Sequence, residues 1–247
     1  FSSSSILNRY SDLYSEEQKS FISEIRQEID PADVKTVLEG LKDLKVLVIG
    51  ETIIDQYIFC EALGKSGKEP VLVLRDLNTE EYLGGAAAIT NHLADFCSSI
   101  TLLSALGESG KYEDFIKANL AKNIRFEFIK KTNSPTIVKK RFVEHITNSK
   151  TLGVYSINDE TISGTDEKKL RSMILKEIRK HDLVIVTDYG HGLISEKVAK
   201  EIVNNSPYTT LNAQINAANS SYHTMDKYEK VECVIINEGE LRHEFRN

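Results

Sequence analysis

Four polar residues stand next to strand-like apolar segments of the sequence, where they could bind a hydroxyl group or a cation. Asp55 comes soon after the first of these segments, Asp188 ends the second, and Asn237 and Glu240 follow the third. Carboxylate and amide oxygens accept hydrogen bonds from polyols, and Mg²⁺ prefers oxygen ligands. The structural alternatives are a turn or helix cap at Asp55, a cap in a glycine-rich turn at Asp188, and an N-terminal helix cap at Asn237 and Glu240. Both interpretations stay open at this point.

Two further groups could bind an anion. Gly84 and Gly85 directly precede a predicted helix, so that a ligand could approach the backbone N–H groups of its first turn. The alternative is close packing of that helix on the sheet. Lys139 and Arg141 share one face of a predicted strand, and Lys140 takes the other. Two cations on one face could bind a phosphate or carboxylate group, and the alternative is an edge strand protected by charge.

Strands and helices that alternate along the chain must position these residues. Lys45–Gly50 and Leu183–Asp188 are continuous apolar runs, as expected of strands buried on both faces. Helical segments with apolar stripes lie between the strands, which predicts a parallel sheet with helices on both faces. Ligands bind beyond the carboxyl ends of the strands in such sheets. The other predicted strands are Ile100–Leu106 and Val231–Ile236, and the predicted helices are Ala86–Phe96, Tyr112–Lys122, Glu167–Lys180 and Glu196–Asn204.

Two regions break this alternation and predict a smaller sheet. Tyr57–Leu63 and Val71–Leu77 are predicted to pair through a turn that contains two glycines. Three short segments with polar alternation and no helix between them follow later in the chain. Such strands are expected on an antiparallel accessory sheet or at the edge of the main sheet. They are Arg125–Lys130, Thr136–Val143 and Thr151–Ile157.

The first forty residues have a different character. A polar helix with a thin apolar stripe is predicted from about Ser15 to Glu28. Asp30 is predicted to cap a second helix that begins at Pro31 and runs to Leu41. This segment has the composition of a linker or of the remnant of an upstream domain.

Composition excludes several classes of protein. The chain of 247 residues has 31 basic and 37 acidic residues and a formal charge of −6, which argues against a nucleic-acid-binding protein or a membrane-surface protein. The apolar runs are too short to span a bilayer, and no secretory signal precedes them, so we expect a cytoplasmic protein. The three cysteines show no metal-ligand spacing, and the six histidines are scattered.

From Lys45 onward, these residues resemble the ribokinase-like (pfkB) carbohydrate kinases, and in particular the heptose-7-phosphate kinase branch of bifunctional ADP-heptose synthesis proteins. Each matching motif is weak alone, but six occur in the family's order. The resemblance implies an α/β fold of three layers (α/β/α), with a mostly parallel central sheet and a small β lid that often dimerises. The motifs are Gly50-Glu51 with Asp55, Glu69-Pro70-Val71, Gly84-Gly85-Ala86-Ala87, Pro135-Thr136-Ile137 with Lys139 and Arg141, Asp188-Tyr189 with Gly192, and Asn237 with Glu240.

The resemblance also implies a role for each site residue. Asp55 and the pair Gly84-Gly85 would bind the sugar, and Lys139 and Arg141 would bind a sugar phosphate. Asp188, Asn237 and Glu240 would lie toward ATP and Mg²⁺, with Asp188 and Glu240 as metal ligands and Asp188 also near the substrate. Ala88 stands where the family usually has a sugar-binding Asn.

The two ends of the chain carry further expectations from the resemblance. The catalytic base of the family belongs to a Gly-Ala-Gly-Asp type loop, which we expect beyond Asn247, so no catalytic residue is assigned and residues 45–247 are expected to be an incomplete, inactive kinase domain. Residues 1–44 resemble the end of a cytidylyltransferase-like domain and would be the remnant of an upstream nucleotidyltransferase.

The function predicted in this way is ATP- and Mg²⁺-dependent phosphorylation of a sugar or sugar phosphate, most of all a heptose phosphate. A kinase for an uncharged sugar or nucleoside is an alternative within this class. A non-catalytic sugar-binding or assembly domain with a kinase fold is the alternative from another class. A homodimer through the β lid is the expected assembly.

Overall fold

The structure is a computed structural model that describes residues 14–215 and 225–245. The chain divides into two units, residues 1–42 and residues 43–247. The assignment of residues 1–44 to the remnant of a nucleotidyltransferase-like domain stays a prediction.

Helices α1 (Glu16–Glu28) and α2 (Pro31–Gly40) form the described part of the first unit. The side chain of Asp30 accepts the N–H of Ala32 at 2.8 Å, and Pro31 occupies the first turn of α2. The predicted cap and the two predicted helices are therefore confirmed. Neither helix buries a residue. A 3₁₀ turn, Leu41–Asp43, follows α2.

The second unit has ten strands and five helices among its described residues. They are β1 (Lys45–Gly50), β2 (Thr52–Lys65), β3 (Leu72–Gly84), α3 (Gly85–Leu93), β4 (Ser99–Gly107), α4 (Glu113–Asn119), β5 (Ile124–Lys131), β6 (Ile137–Glu144), β7 (Ser149–Ser156), α5 (Gly164–Ile178), β8 (Leu183–Asp188), α6 (Glu196–Asn205), β9 (Thr209–Ala213), β10 (Cys233–Ile235) and α7 (Glu238–Glu244).

The central sheet has six parallel strands in the order β10-β9-β8-β1-β4-β5. Strand β1 lies in the middle and is buried from Val46 to Gly50, which explains its continuous apolar run. Helices α5 and α6 pack on the sheet through a buried cluster that includes Leu47, Leu170 and Ile202, and α3 contacts β1 and β4. The predicted parallel sheet with flanking helices is confirmed. No described helix is long and apolar enough to cross a membrane.

Four strands form a second sheet, called the lid sheet here, in the order β3-β2-β6-β7. The outer pairs β2–β3 and β6–β7 are antiparallel, whereas β2 and β6 are parallel. The prediction of a purely antiparallel accessory sheet was therefore wrong for the central pair. Strands β2 and β6 each follow a strand of the central sheet, and they run side by side in the same direction.

Two strands of the central sheet differ from the sequence prediction. Arg125–Lys130 was predicted to lie on an antiparallel accessory sheet or at the edge of the main sheet. It forms β5, the last strand of the central sheet, so the edge alternative is confirmed, whereas its parallel pairing with β4 was not predicted. Strand β9 was not predicted, although Thr209 and Thr210 are β-branched and its residues are mostly buried.

Candidate functional site

The ends of β1 and β8 define the crevice of the central sheet. From β1 the chain proceeds to β4 and β5 on one side, and then returns to β8, β9 and β10 on the other. Gly50, the last residue of β1, pairs with Thr187 of β8. Ligands of open parallel sheets bind where the direction of winding changes in this way. The predicted site residues Asp55 and Asp188 follow or end these two strands, and Glu51 lies beside them.

Glu51 fixes the loop that follows β8. Its Oε2 accepts the N–H of Tyr189 at 2.9 Å, and its Oε1 accepts the N–H groups of His191 and Leu193, each at 3.2 Å. Burial, reinforced by the negative charge of Asp188, raises the pKa of Glu51 to about 7, although the N–H donors oppose this rise. Glu51 was part of a matching motif but was not predicted as a site residue, and its contacts give it a positioning role.

Asp188 is buried and its charge is compensated within the protein. Its Oδ2 lies 2.6 Å from Nζ of Lys227 and accepts the hydroxyl of Tyr228 at 2.7 Å. Its Oδ1 accepts the N–H of Gly190 at 3.1 Å, which is the turn-capping contact that the sequence left open. Lys227 was missed because it lies 39 residues further along the chain in a polar segment. The predicted contact of Asp188 with substrate stays a prediction.

Asn237 and Glu240 form an N-terminal cap. The side chain of Asn237 accepts the N–H of Gly239 at 2.8 Å, and Oε2 of Glu240 accepts the N–H of Asn237 at 3.0 Å. Oε1 of Glu240 accepts the N–H of Ile215 at 3.1 Å. The capping alternative therefore describes the contacts of both residues. Their predicted role toward a nucleotide stays a prediction.

The residues predicted to bind Mg²⁺ already have partners within the protein. Each oxygen of Asp188 and of Glu240 accepts a hydrogen bond or lies beside a cation, so a metal ion would have to compete with these partners. Within residues 14–215 and 225–245, no group of three or more His, Cys, Asp or Glu side chains is placed to hold a metal ion. The binding of Mg²⁺ by Asp188 and Glu240 stays a prediction.

Asp55, Lys139 and Arg141 come together on one face of the lid sheet, called the lid face here. Asp55 of β2 stands opposite Lys139 of β6, and a guanidinium N–H of Arg141 donates to Oδ1 of Asp55. Arg141 and Asp55 are about one-fifth and one-quarter exposed, respectively, whereas Lys139 is only 7% exposed. The alternation of the strand puts Lys140 on the opposite face. The expectation that Lys139 and Arg141 share a face is confirmed.

Burial and neighbouring charges determine the electrostatics of this face. Burial lowers the pKa of Lys139, the charge of Asp55 opposes this shift, and the charge of Arg141 adds to it. An anionic group beside Lys139 would favour its ammonium form. Lys139 and Arg141 supply the cationic donors of this face, and Asp55 and Glu80, which stands opposite Tyr57 on β3, supply its carboxylates. An anion would therefore be bound by the two donors rather than by a net positive charge.

Three tyrosines complete the lid face and were missed from the sequence. The ring of Tyr57 lies 5.5 Å from the guanidinium of Arg141, and the ring of Tyr155 lies 5.7 Å from Nζ of Lys139. Tyr82 stands opposite Asp55 and makes an edge contact with Tyr57, with ring centroids 5.9 Å apart. The two-residue period of a strand was the available signal, because Tyr57 follows Asp55 by two residues.

Gly84 and Gly85 permit the close approach of the lid sheet to α3. A Cβ on Gly84 would lie 2.3 Å from Oδ2 of Asp55, and a Cβ on Gly85 would lie 2.2 Å from the carbonyl oxygen of Glu51. Gly85 also has a φ of +57°, which side chains other than that of glycine rarely adopt. The packing alternative explains both glycines, and the predicted contact with sugar stays a prediction.

A buried carboxylate–imidazole pair lies beside the crevice. Nδ1 of His191 is 2.7 Å from Oδ1 of Asp159, and Nζ of Lys131 donates to the carbonyl oxygens of Asn158 at 2.8 Å and His191 at 3.1 Å. Burial lowers the pKa of His191, and the bond to Asp159 opposes this shift. Sequence spacing could not reveal this pair, because 32 residues separate its members.

A cavity of about 740 Å³ opens next to the loop after β8. Its lining includes three lysines and five carboxylates, so its charge does not favour a polyanion such as a nucleotide. The charged lining residues are Asp159, Glu167, Glu196, Lys197, Lys200, Asp226, Lys227 and Glu229.

Comparison of the sequence with known proteins gives relatives that include a bifunctional protein and a heptose 7-phosphate kinase. No family model matches the chain. The chain is similar to the bifunctional protein HldE of Campylobacter jejuni, with 26% identity over 199 residues that cover 79% of this chain and 40% of that protein. It is also similar to D-beta-D-heptose 7-phosphate kinase of Bordetella bronchiseptica, with 23% identity over 204 residues that cover 83% of this chain and 62% of that protein. The chain thus spans less than two thirds of either relative.

Comparison of the structure identifies the fold. Phosphofructokinase-2 from Escherichia coli, in complex with fructose-6-phosphate, matches with a TM-score of 0.61 and 13% identity over 83% of this chain and 65% of that one. Ribokinase from Arabidopsis thaliana, complexed with ribose and ATP, matches with a TM-score of 0.54 and 16% identity over 81% and 62%. The predicted ribokinase-like fold is confirmed.

Proposed function

Because the chain is similar to heptose 7-phosphate kinases and has the ribokinase-like fold, we propose that it binds a sugar phosphate for phosphorylation by ATP. The observation that carries this proposal is the lid face, where Lys139, Arg141 and Asp55 converge beside the crevice of the central sheet. A heptose 7-phosphate or a related sugar phosphate is the proposed substrate.

The chemistry of the three side chains suits a phosphorylated sugar. The planar guanidinium of Arg141 can donate two parallel hydrogen bonds to a phosphate group, and the ammonium of Lys139 adds a second positive charge. The carboxylate of Asp55 accepts hydrogen bonds from hydroxyl groups. The face therefore offers donors for the phosphate and an acceptor for the sugar.

Phosphoryl transfer needs positioning and charge neutralisation more than covalent chemistry from the protein. The lid face would hold the acceptor sugar over the carboxyl ends of β1 and β8. ATP as the donor is supported by the sugar kinase relatives, and Mg²⁺ stays a prediction. No catalytic base is assigned among residues 14–215 and 225–245, and the Gly-Ala-Gly-Asp type loop implied by the family stays a prediction.

A second function is favoured by a specific observation. Asp188 is paired with Lys227, and Asn237 and Glu240 cap α7, so the residues predicted to act on the nucleotide side make structural contacts. This arrangement, together with Ala88 in place of a sugar-binding Asn, suits a domain that binds a sugar phosphate without turnover. A coupled assay of ADP release in the presence of heptose 7-phosphate, ATP and Mg²⁺ separates the two functions.

Calorimetric titration with heptose 7-phosphate and with the same heptose lacking the phosphate tests the proposed binding site. We expect Arg141→Ala to weaken binding of the phosphorylated sugar by about tenfold or more, because a charge-assisted pair is lost. Binding of the unphosphorylated sugar should change much less. Lys140→Ala is the matched control, because Lys140 neighbours Arg141 on the opposite face of β6. An equal loss for both sugars would contradict a phosphate-binding role.

A further inference from the structure

The imidazole of His191 has one nitrogen that the protein does not use. Its side chain is 1% exposed, and Nδ1 pairs with the carboxylate of Asp159. Nε2 is buried and has no hydrogen-bond partner among the described residues. Buried polar atoms without a partner are rare in proteins because each costs free energy, so such an atom at a ligand-binding crevice points to a ligand.

The pairing with Asp159 determines what Nε2 can do. A carboxylate accepts hydrogen bonds, so Nδ1 carries the proton and Nε2 of the neutral ring presents a lone pair. The backbone of His191 is fixed on both sides, because Glu51 accepts its N–H and Lys131 donates to its carbonyl oxygen. The ring is therefore a rigid acceptor with a defined direction.

The surroundings of His191 connect it to the lid face. His191 lines a small cavity of about 20 Å³, enough for one hydroxyl group or water molecule, together with Lys131, Thr136 and Ile137. Ile137 precedes Lys139 by two residues on β6 and so stands on the same face of the lid sheet. The positive charge of Lys139 also contributes to the lowered pKa of His191.

We propose that His191 is a substrate-positioning residue whose Nε2 accepts a hydrogen bond from a hydroxyl group of the sugar phosphate. This inference rests on the proposed function, and it adds a contact to a hydroxyl group of the sugar. Asp159 acts through His191 by holding the proton on Nδ1. Together with Lys139 and Arg141, His191 would thus select a ligand that carries both a phosphate and a correctly placed hydroxyl group.

The first test is NMR of the imidazole nitrogens in the full ¹⁵N-labelled chain, which needs no substitution. We expect His191 to be neutral with the proton on Nδ1, and its Nε2 resonance to shift when heptose 7-phosphate is added but not when inorganic phosphate is added. An Nε2 resonance that stays unchanged with bound heptose 7-phosphate, or that shows a hydrogen bond before any ligand is added, would overturn the proposal in favour of a purely structural or water-binding role.

Calorimetry with variants gives an independent test. His191→Phe keeps a planar ring without the acceptor, and we expect it to weaken heptose 7-phosphate binding by about tenfold while inorganic phosphate binds as before. His191→Gln, whose carbonyl oxygen can replace Nε2, should recover part of the loss. Arg141→Ala should weaken both ligands. If both His191 variants bind heptose 7-phosphate as tightly as the native chain does, the role of His191 is refuted but the proposed function is not. If the native chain does not bind heptose 7-phosphate, both the proposed function and the role of His191 are refuted.

Discussion

Asp55 and Arg141 neutralise each other on the lid face, and this pairing determines how a ligand can bind there. A phosphate group must share Arg141 with Asp55, whereas a sugar hydroxyl can use the free lone pairs of the carboxylate. In the proposed sugar-phosphate complex, the pair would therefore couple the binding of the phosphate to the binding of the sugar.

The substitution Asp55→Asn separates these two contributions. We expect inorganic phosphate to bind more tightly, because Arg141 loses its competing carboxylate, and heptose 7-phosphate to gain less or to bind more weakly, because the sugar loses its acceptor. Titration calorimetry with both ligands measures the difference. Glu61→Gln is the matched control, because Glu61 lies further along β2 than Asp55 does and forms an ion pair at 2.8 Å with Arg75 of β3. Weaker binding of inorganic phosphate to Asp55→Asn would refute this account.

Glu51 makes the stability of the fold depend on pH in a defined direction. Its pKa is raised in the folded chain, so its contribution to stability is present below the unfolded value of 4.5 and is lost as the pH rises toward 7. We expect urea unfolding to show this decline in the native chain and a smaller decline in Glu51→Gln. Glu196→Gln, at an exposed position of α6, should retain the native slope. Identical slopes in Glu51→Gln and the native chain would show that Glu51 does not titrate in this range.

Among the elements, the junction between β3 and α3 serves both the lid and the central sheet. Gly84 contacts Asp55, and Gly85 contacts the backbone of Glu51. These neighbouring glycines lie against different groups, and they should therefore respond differently to the addition of a methyl group.

We expect Gly85→Ala to lower the free energy of unfolding by at least ~1 kcal/mol, because a positive φ and a backbone clash coincide there. Gly84→Ala should instead displace the carboxylate of Asp55 and weaken sugar-phosphate binding, with a smaller loss of stability. Thermal unfolding and calorimetry measure the two effects. Gly67→Ala is the control, because no described heavy atom lies within 4 Å of a Cβ at Gly67. Equal effects at Gly84 and Gly85 would contradict this division of roles.

Elements with a regular pattern of apolar residues were predicted correctly from the sequence. The positions that depend on which strands pair with each other were not. Buried parallel strands such as β1 and β8 are continuous apolar runs, so they were found. The polar alternation of β5 indicated an edge strand but not its parallel pairing with β4, and strand β9 has few apolar residues and was missed.

The same distinction applies to the candidate site. The shared face of Lys139 and Arg141 follows from the two-residue period alone. The pairing of Arg141 with Asp55, the neutralisation of Asp188 by Lys227 and the contact of His191 with Asp159 each join distant segments of the chain. The motifs identified some of these segments in the sequence, but only the folded structure shows which residues pair with each other.

At the scale of the whole molecule, the lid sheet leaves apolar side chains exposed. Every residue of β7 is exposed, and Leu152 and Val154 are large apolar side chains on one face of this edge strand. Exposed apolar edges favour association with another chain. The homodimer expected from the sequence stays a prediction, and β7 is where it can be tested.

Sedimentation velocity over a range of concentrations measures this association. We expect the native chain to dimerise and the double variant Leu152→Lys, Val154→Lys to remain at the monomer mass of 27.8 kDa. Val37→Lys is the control, because Val37 is exposed on α2, outside the lid sheet. A native chain that is monomeric at every concentration would refute the prediction.

The parallel contact between β2 and β6 has a consequence for the order of folding. Each outer pair of the lid sheet is a local hairpin, whereas Asp55 and Arg141 are 86 residues apart along the chain. Closing so long a loop costs more conformational entropy than closing a hairpin, so the hairpins can form before they meet. The lid face then forms only when the two hairpins pair with each other. Binding of inorganic phosphate during refolding would therefore report the completion of the fold rather than the formation of its strands.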